Sequence, residues 1–201
     1  MKPSGILQKI QSKEKITIVG LGDSLTQGWM ARKGYLDFLK ELLHGKYPAK
    51  RFTVINSGIP GDTAEGGLHR LSRDALDYNP DVILVQFALN DAFIGVPVDI
   101  FRNQIAGIVA TIKNDSDAEA ALLTSVYIRE PAEYRMAKVF YDALEKVSAK
   151  ENIPFARVHE YWEKAVGAGA DHGRMVQYDG VHPTVDGYRL MAEAVFGLFG
   201  D

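Results

Sequence analysis

The stretch Ile16-Thr17-Ile18-Val19-Gly20-Leu21-Gly22-Asp23-Ser24-Leu25-Thr26-Gln27-Gly28 decides the fold. Residues 16–21 are short, β-rich and apolar on both sides of the alternation, as a strand buried on both faces requires. Gly20 and Gly22 let the chain turn sharply off that strand. Ser24 is left near the start of whatever follows.

The same pattern recurs outward from this stretch. Residues 52–55, 82–87, 120–126 and 153–158 read as further buried strands. Helical spacing separates them. It is carried by Tyr35, Leu36, Leu39, Leu42 and Leu43, then by Phe101, Ile105, Ile108, Val109 and Ile112. Met136, Val139, Phe140, Ala143, Leu144 and Val147 repeat it, as do Val185, Tyr188, Met191, Val195, Phe196 and Phe199. A further helix is expected to start near Glu65. Strand–helix alternation predicts an α/β fold with a parallel sheet and helices on both faces. In such sheets the binding crevice lies beyond the carboxyl ends of the strands. The segments to inspect are therefore 22–28, 56–63, 88–98 and 127–131, together with a polar, Gly-rich loop at 167–178.

The 201 residues, 46% of them hydrophobic, suffice for one domain spanning 1–201. Residues 1–14 are expected to form a loose N-terminal segment. The net charge of −3 and the lack of a basic block argue against a nucleic-acid partner. The chain has no cysteine, which excludes disulfides, thiolate catalysis and Cys-based zinc sites. No apolar run approaches the length of a membrane span, so no integral membrane association is expected. Residues 1–15 hold no stretch of signal-peptide length. A cytoplasmic location is the expectation, although an exported chain already stripped of its signal would read the same way.

Four places hold residues suited to acyl transfer. Ser24 after the first strand suits a nucleophile aided by backbone N–H groups at a helix start; as an alternative it is an N-cap. Gly61, in Asn56-Ser57-Gly58-Ile59-Pro60-Gly61-Asp62-Thr63, has no side chain to block an N–H aimed at an oxyanion, or it is an ordinary turn glycine. Asn90, in Phe87-Ala88-Leu89-Asn90-Asp91, has an amide that can face the crevice, or it makes local turn hydrogen bonds. His182, in Asp179-Gly180-Val181-His182-Pro183, has an aspartate three residues earlier that reaches its ring if Gly180 lets the turn fold back; as an alternative it is a surface histidine. His44, His69, His159 and His172 lack such a turn, and His172 is the reserve base. Gly20-Leu21-Gly22-Asp23-Ser24-Leu25 lacks the third glycine of a dinucleotide fingerprint.

At these residues the chain resembles the GDSL/SGNH hydrolase family. The resemblance runs from Gly22-Asp23-Ser24-Leu25 to Asp179-Gly180-Val181-His182-Pro183 and covers nearly the whole chain. It implies a flavodoxin-like three-layer α/β/α sandwich with a five-stranded parallel sheet in the order 2-1-3-4-5. It implies a serine esterase with Ser24 as nucleophile and Asp179 and His182 completing the triad. The oxyanion hole would combine the N–H of Ser24 with Gly61 and Asn90, and no metal or cofactor is implied. Residues 56–63 are also similar to the equivalent block of bacterial arylesterases and thioesterase/lysophospholipases. One departure is Ala88, where the family usually has glycine; alanine is tolerated if φ there is below zero.

The rival reading is a non-catalytic flavodoxin-like module gripping a phosphate or flavin at the first loop. The acidic Asp23 and the scarcity of hydroxyls there are unfavourable for an anion. The expected partner is a small-molecule acyl ester; no feature of the sequence fixes an oligomeric state. Phe93 and Ile94, in the unusually apolar run after Asn90, are expected to wall an acyl pocket, with Trp29 bounding its other side. Their bulk predicts a preference for acyl chains from acetyl to about hexanoyl.

Overall fold

A computed structural model describes residues 5–200. Strand β1 (Lys15–Gly22) lies near the middle of a five-stranded, all-parallel sheet with β2 (Arg51–Gly58), β3 (Val82–Gln86), β4 (Glu119–Leu123) and β5 (Phe155–Ala156). Their order is β2-β1-β3-β4-β5. The expected sheet and its order are both present. Strand β2 is at the sheet edge and only Phe52 of it is buried, so the expectation of burial on both faces does not hold there.

The helices follow in chain order as α1 (Gly5–Ser12), α2 (Ser24–Gln27), α3 (Tyr35–Lys46), α4 (Ala64–Asp74), α5 (Leu89–Phe93), α6 (Val98–Asp115), α7 (Pro131–Glu151), α8 (Val158–Gly167), α9 (His172–Met175) and α10 (Val185–Phe196). One core forms where Ile6, Tyr35, Leu39, Tyr188 and Met191 cover one face of the sheet. Another forms where Leu71, Ile105, Val109, Phe140 and Leu144 cover the opposite face. Losing one such large side chain to alanine typically costs about 2–5 kcal/mol.

Two expectations change. Residues 1–14 are not a loose segment over the part described, because Gly5–Ser12 is helical and buries Ile6 and Ile10. Residues 1–4 lie outside the described residues. The buried face of α7 is carried by Ala137, Phe140, Tyr141, Leu144 and Val147, while Met136 and Val139 face solvent.

The sheet register brings the functional loops together. Gly22 at the end of β1 pairs with Gly58 of β2 on one side and Gln86 of β3 on the other. Three strands therefore end in line, and the loops after them start from one edge. The short helix α2 crosses these ends closely. A Cβ on Gly58 would collide with the backbone of Gln27, and one on Gly22 with Thr26 and the carbonyl of Gln86. Glycine is required here for close approach rather than for a positive φ.

Candidate active site

Asp23 is the N-cap of α2, and its carboxylate accepts from the N–H of Leu25 at 2.9 Å. Ser24 is thus the first residue of α2, where its N–H has no intrahelical acceptor. Its Oγ lies 2.9 Å from Nε2 of His182. On the other side of the ring, Nδ1 of His182 is 2.6 Å from Oδ2 of Asp179. A carboxylate accepting from Nδ1–H leaves Nε2 unprotonated and able to accept the Ser24 proton.

The Asp179–His182 turn closes as the spacing suggests. Gly180 has φ of 73°, a conformation that side-chain-bearing residues adopt at a cost. This folds Asp179 back so that Oδ1 accepts from the N–H groups of Val181 and His182, each at 2.9 Å. Partial burial opposes the charge on Asp179. The Val181 N–H, the His182 ring and the His182 N–H outweigh it and hold the carboxyl below its ordinary pKa.

Asn90 lies in α5, and its Nδ2 donates to the carbonyl of Asp62 at 2.8 Å. The bond uses one amide hydrogen and leaves the second for a ligand. It also ties the strand-end loop holding Gly61 to the loop holding Asn90. Gly61 has φ of 79°, is exposed, and has open space where a Cβ would stand. Ala88 has φ of 160°. With ψ of −45°, the expected condition of φ below zero is not met there.

A cleft of about 170 Å³ is lined by Asp23, Ser24, Leu25, Leu89, Asn90, Phe93, Asp179, Val181 and His182. A larger hollow of about 720 Å³ lies between α3 and α10, around Phe38, Leu42, Arg189 and Phe196, and holds none of these residues. The smaller cleft is the candidate site because Ser24 and His182, a hydroxyl and an imidazole within hydrogen-bond reach, converge there. Of the expected acyl-pocket residues, Phe93 lines the cleft. Ile94 does not; it caps the end of α5 and is 69% exposed. Trp29 is also absent from the lining and sits beside the base, its ring centroid 6.2 Å from that of His182. His172 is buried with Nε2 3.5 Å from the carbonyl of Tyr127 and is not drawn to Ser24.

Several supporting residues carry no sequence signal. The buried Arg70 donates to the carbonyls of Gly22 (2.9 Å) and Ser57 (2.8 Å) and to the carboxylate of Asp62 (2.7 Å), joining two strand ends to the Gly61 loop. Gln86 lies under the nucleophile. Its Oε1 accepts from Thr26 Oγ1 at 2.9 Å, and its Nε2 donates to Asp23 at 3.3 Å and to Ser125 at 2.9 Å. Gln177 donates from Nε2 to the carbonyls of Trp29 and Pro183, both at 2.9 Å. Buried Asp91 accepts from the N–H of Ala64 at the start of α4, and burial pushes its carboxyl up to about 6. Among the described residues no group of three or more His, Asp or Glu is placed to hold a metal ion. No described helix is long and apolar enough to cross a membrane.

The model of the GDSL-like Lipase/Acylhydrolase family matches residues 21–190, from the end of β1 into α10. The chain belongs to this family. It is a carboxylic ester hydrolase, as the family assignment and the expected fold agree. This GDSL hydrolase is 29% identical over 194 residues to the arylesterase of Vibrio mimicus, covering 92% of this chain and 88% of that one. It is 28% identical over 191 residues to esterase TesA of Pseudomonas aeruginosa, covering 90% and 86%. The crystal structure of an acetylxylan esterase from Geobacillus stearothermophilus superposes with a TM-score of 0.81 at 22% identity, covering 94% of this chain and 95% of that one. Catalytic mutants of that esterase replace a serine, an aspartate or a histidine by alanine. The non-catalytic reading finds no support in these likenesses.

Proposed function

We propose that this GDSL hydrolase cleaves esters of short acyl chains, with Ser24 as nucleophile, His182 as base and Asp179 as its orienting partner. The observation that carries this reading is the continuous chain of contacts from Ser24 Oγ to His182 Nε2 (2.9 Å) and from His182 Nδ1 to Asp179 (2.6 Å). In the aspartate and histidine mutants of the acetylxylan esterase, the replaced residues lie three positions apart, the spacing of Asp179 and His182.

His182 takes the Ser24 proton as Oγ attacks the ester carbonyl. The oxyanion that forms is met by the N–H groups of Ser24 and Gly61 and by the amide of Asn90. His182 then protonates the departing alcohol and the acyl-enzyme remains. Water, deprotonated by the same histidine, attacks the acyl carbonyl and releases the acid with Ser24 restored.

Chain length follows from the space available. A cleft of about 170 Å³ is below the roughly 300–1,000 Å³ of sites for drug-sized ligands. Leu25, Leu89, Phe93 and Val181 give it apolar walls. Each buried CH₂ is worth about 0.8 kcal/mol only while there is room for it. Nitrophenyl esters from acetate to laurate test this: kcat/KM is expected to peak between acetate and about hexanoate, and Phe93→Ala to move the peak to longer chains. A wild-type peak at laurate would overturn the short-chain assignment.

A further inference from the structure

The histidine of a serine triad delivers its proton to the leaving alcohol. Whatever borders the imidazole outside the acyl cleft therefore borders the alcohol. Leu25, Leu89 and Phe93 line the cleft on the nucleophile and oxyanion side. Trp29 does not line it, yet its indole is tilted 41° against the His182 ring at a centroid distance of 6.2 Å and is 38% exposed. A large aromatic thus stands beside His182 and is partly open to solvent.

The chain around Trp29 is held in place. Its N–H donates to the carbonyl of Ser24 at 3.1 Å, and its carbonyl accepts from Gln177 Nε2. The backbone N–H of Gln177 also donates to the His182 carbonyl, at 2.7 Å. The Ser24 turn, the backbone of Trp29 and the backbone of His182 are thus tied to one another. Met30, with φ of 51°, turns the chain sharply after the tryptophan. A second aromatic, Tyr178, stands 94% exposed immediately before Asp179.

We infer that Trp29 is the specificity residue for the alcohol half of the ester, and that its indole receives a rigid six-membered ring, aromatic or pyranose. The face of an indole is electron-rich. It attracts the positive edge of another aromatic ring or the C–H groups on one face of a sugar. An open-chain alcohol offers the same atoms without a rigid face and loses more rotamer freedom on stacking. The inference rests on the Ser24–His182 reading and refines it, because it concerns only which alcohol the histidine protonates.

The test compares acetates of primary alcohols of near-equal acidity. Benzyl acetate is set against heptyl acetate, and methyl 6-O-acetylglucopyranoside against 1-O-acetylglycerol. The readout is the ratio of kcat/KM within each pair. In the wild type at least one ratio is expected to favour the ring. Trp29→Ala is expected to lower that ratio about tenfold, the upper end of what one aromatic contact supplies, and Trp29→Phe to keep most of it. Loss in the benzyl pair alone assigns aryl alcohols, and loss in the sugar pair alone assigns pyranoses. No ring preference in the wild type, or a Trp29→Ala enzyme slowed equally on both members of each pair, would overturn the inference. The second result would mean that Trp29 acts only through the orientation of His182. Failure of the underlying reading is distinct: Ser24→Ala would then still hydrolyse all four esters.

Discussion

Gln86 donates from Nε2 to the carboxylate of Asp23, the residue before Ser24, over 3.3 Å. Its carbonyl oxygen accepts from Thr26 at the same time. One fully buried amide thus holds the residues on both sides that frame Ser24 and Leu25. Gln86→Leu leaves Asp23, Thr26 and Ser125 each short of a partner in a dry environment. Such losses cost about 1–3 kcal/mol per group. A urea titration is expected to show a lower midpoint, and kcat is expected to fall at temperatures where the variant is folded. An unchanged midpoint would mean that the three groups find other partners.

Stability should depend on pH through buried Asp23 and Asp91, which act in one direction, and buried His159, which opposes them. Burial raises the Asp23 carboxyl to about 7, against the Leu25 N–H and Gln86, with the Asp91 and Asp62 carboxylates adding to the rise. An unfolded aspartate titrates near 3.9. The folded state therefore binds the extra proton between about 4 and 7, and Asp23 makes stability fall as pH rises across that window. Burial depresses His159 to about 4, helped by Lys138 and Arg157, whereas an unfolded histidine titrates near 6.5. Its contribution is present above about 6.5 and is lost as pH falls towards 4. Relative to the wild type, Asp23→Asn is expected to shift the pH dependence towards stability rising with pH, and His159→Asn to shift it towards stability falling with pH. Urea midpoints at about pH 4.5 and 7 check both signs; two variants that track the wild type would contradict them.

Gly180 is expected to be intolerant of a side chain although no neighbour crowds it. Its φ of 73° costs an L-residue about 1–2 kcal/mol. The turn it makes carries both Asp179 and His182. Gly180→Ala should lower kcat more than it lowers the melting temperature would suggest, and Gly180→Asn should be the milder change because asparagine enters this region more readily. Equal activity in Gly180→Ala and wild type would show that the turn accepts another conformation.

Asn90→Ala removes the proposed oxyanion donor and the tie to Asp62 together. Loss of one such donor typically lowers kcat by about 10²–10³. Steady-state kinetics are expected to show a fall in kcat that exceeds any rise in KM. An unchanged kcat would leave Asn90 as a tether for the Gly61 loop alone.

The legible parts of this protein were those whose chemistry is local. Residues 16–21 were recognisable as a strand because all are apolar or β-branched, and β1 exceeds them by one residue at each end. Asp179 and His182 are legible as a pair because they lie three positions apart. Long-range partners were not legible. Arg70 reads as an ordinary helical charge until it meets Gly22, 48 positions away. Gln177 sits in a polar loop until it meets Trp29, 148 positions away. The helix α1 was missed because its apolar face is only Ile6 and Ile10, which is too short a pattern to register. Ile94 looked like a pocket wall by composition, but the residue after a five-residue helix turns outward.

The most direct measurement is the site and stoichiometry of labelling by an organophosphonate, read by intact mass and peptide mapping. One adduct per chain on Ser24, formed in step with the loss of ester hydrolysis, is the expected result. Ser24→Ala should take up no label and lose activity by about 10⁴-fold or more. An adduct on any other residue, or a Ser24→Ala enzyme that keeps more than a tenth of wild-type activity, would contradict Ser24 as the nucleophile.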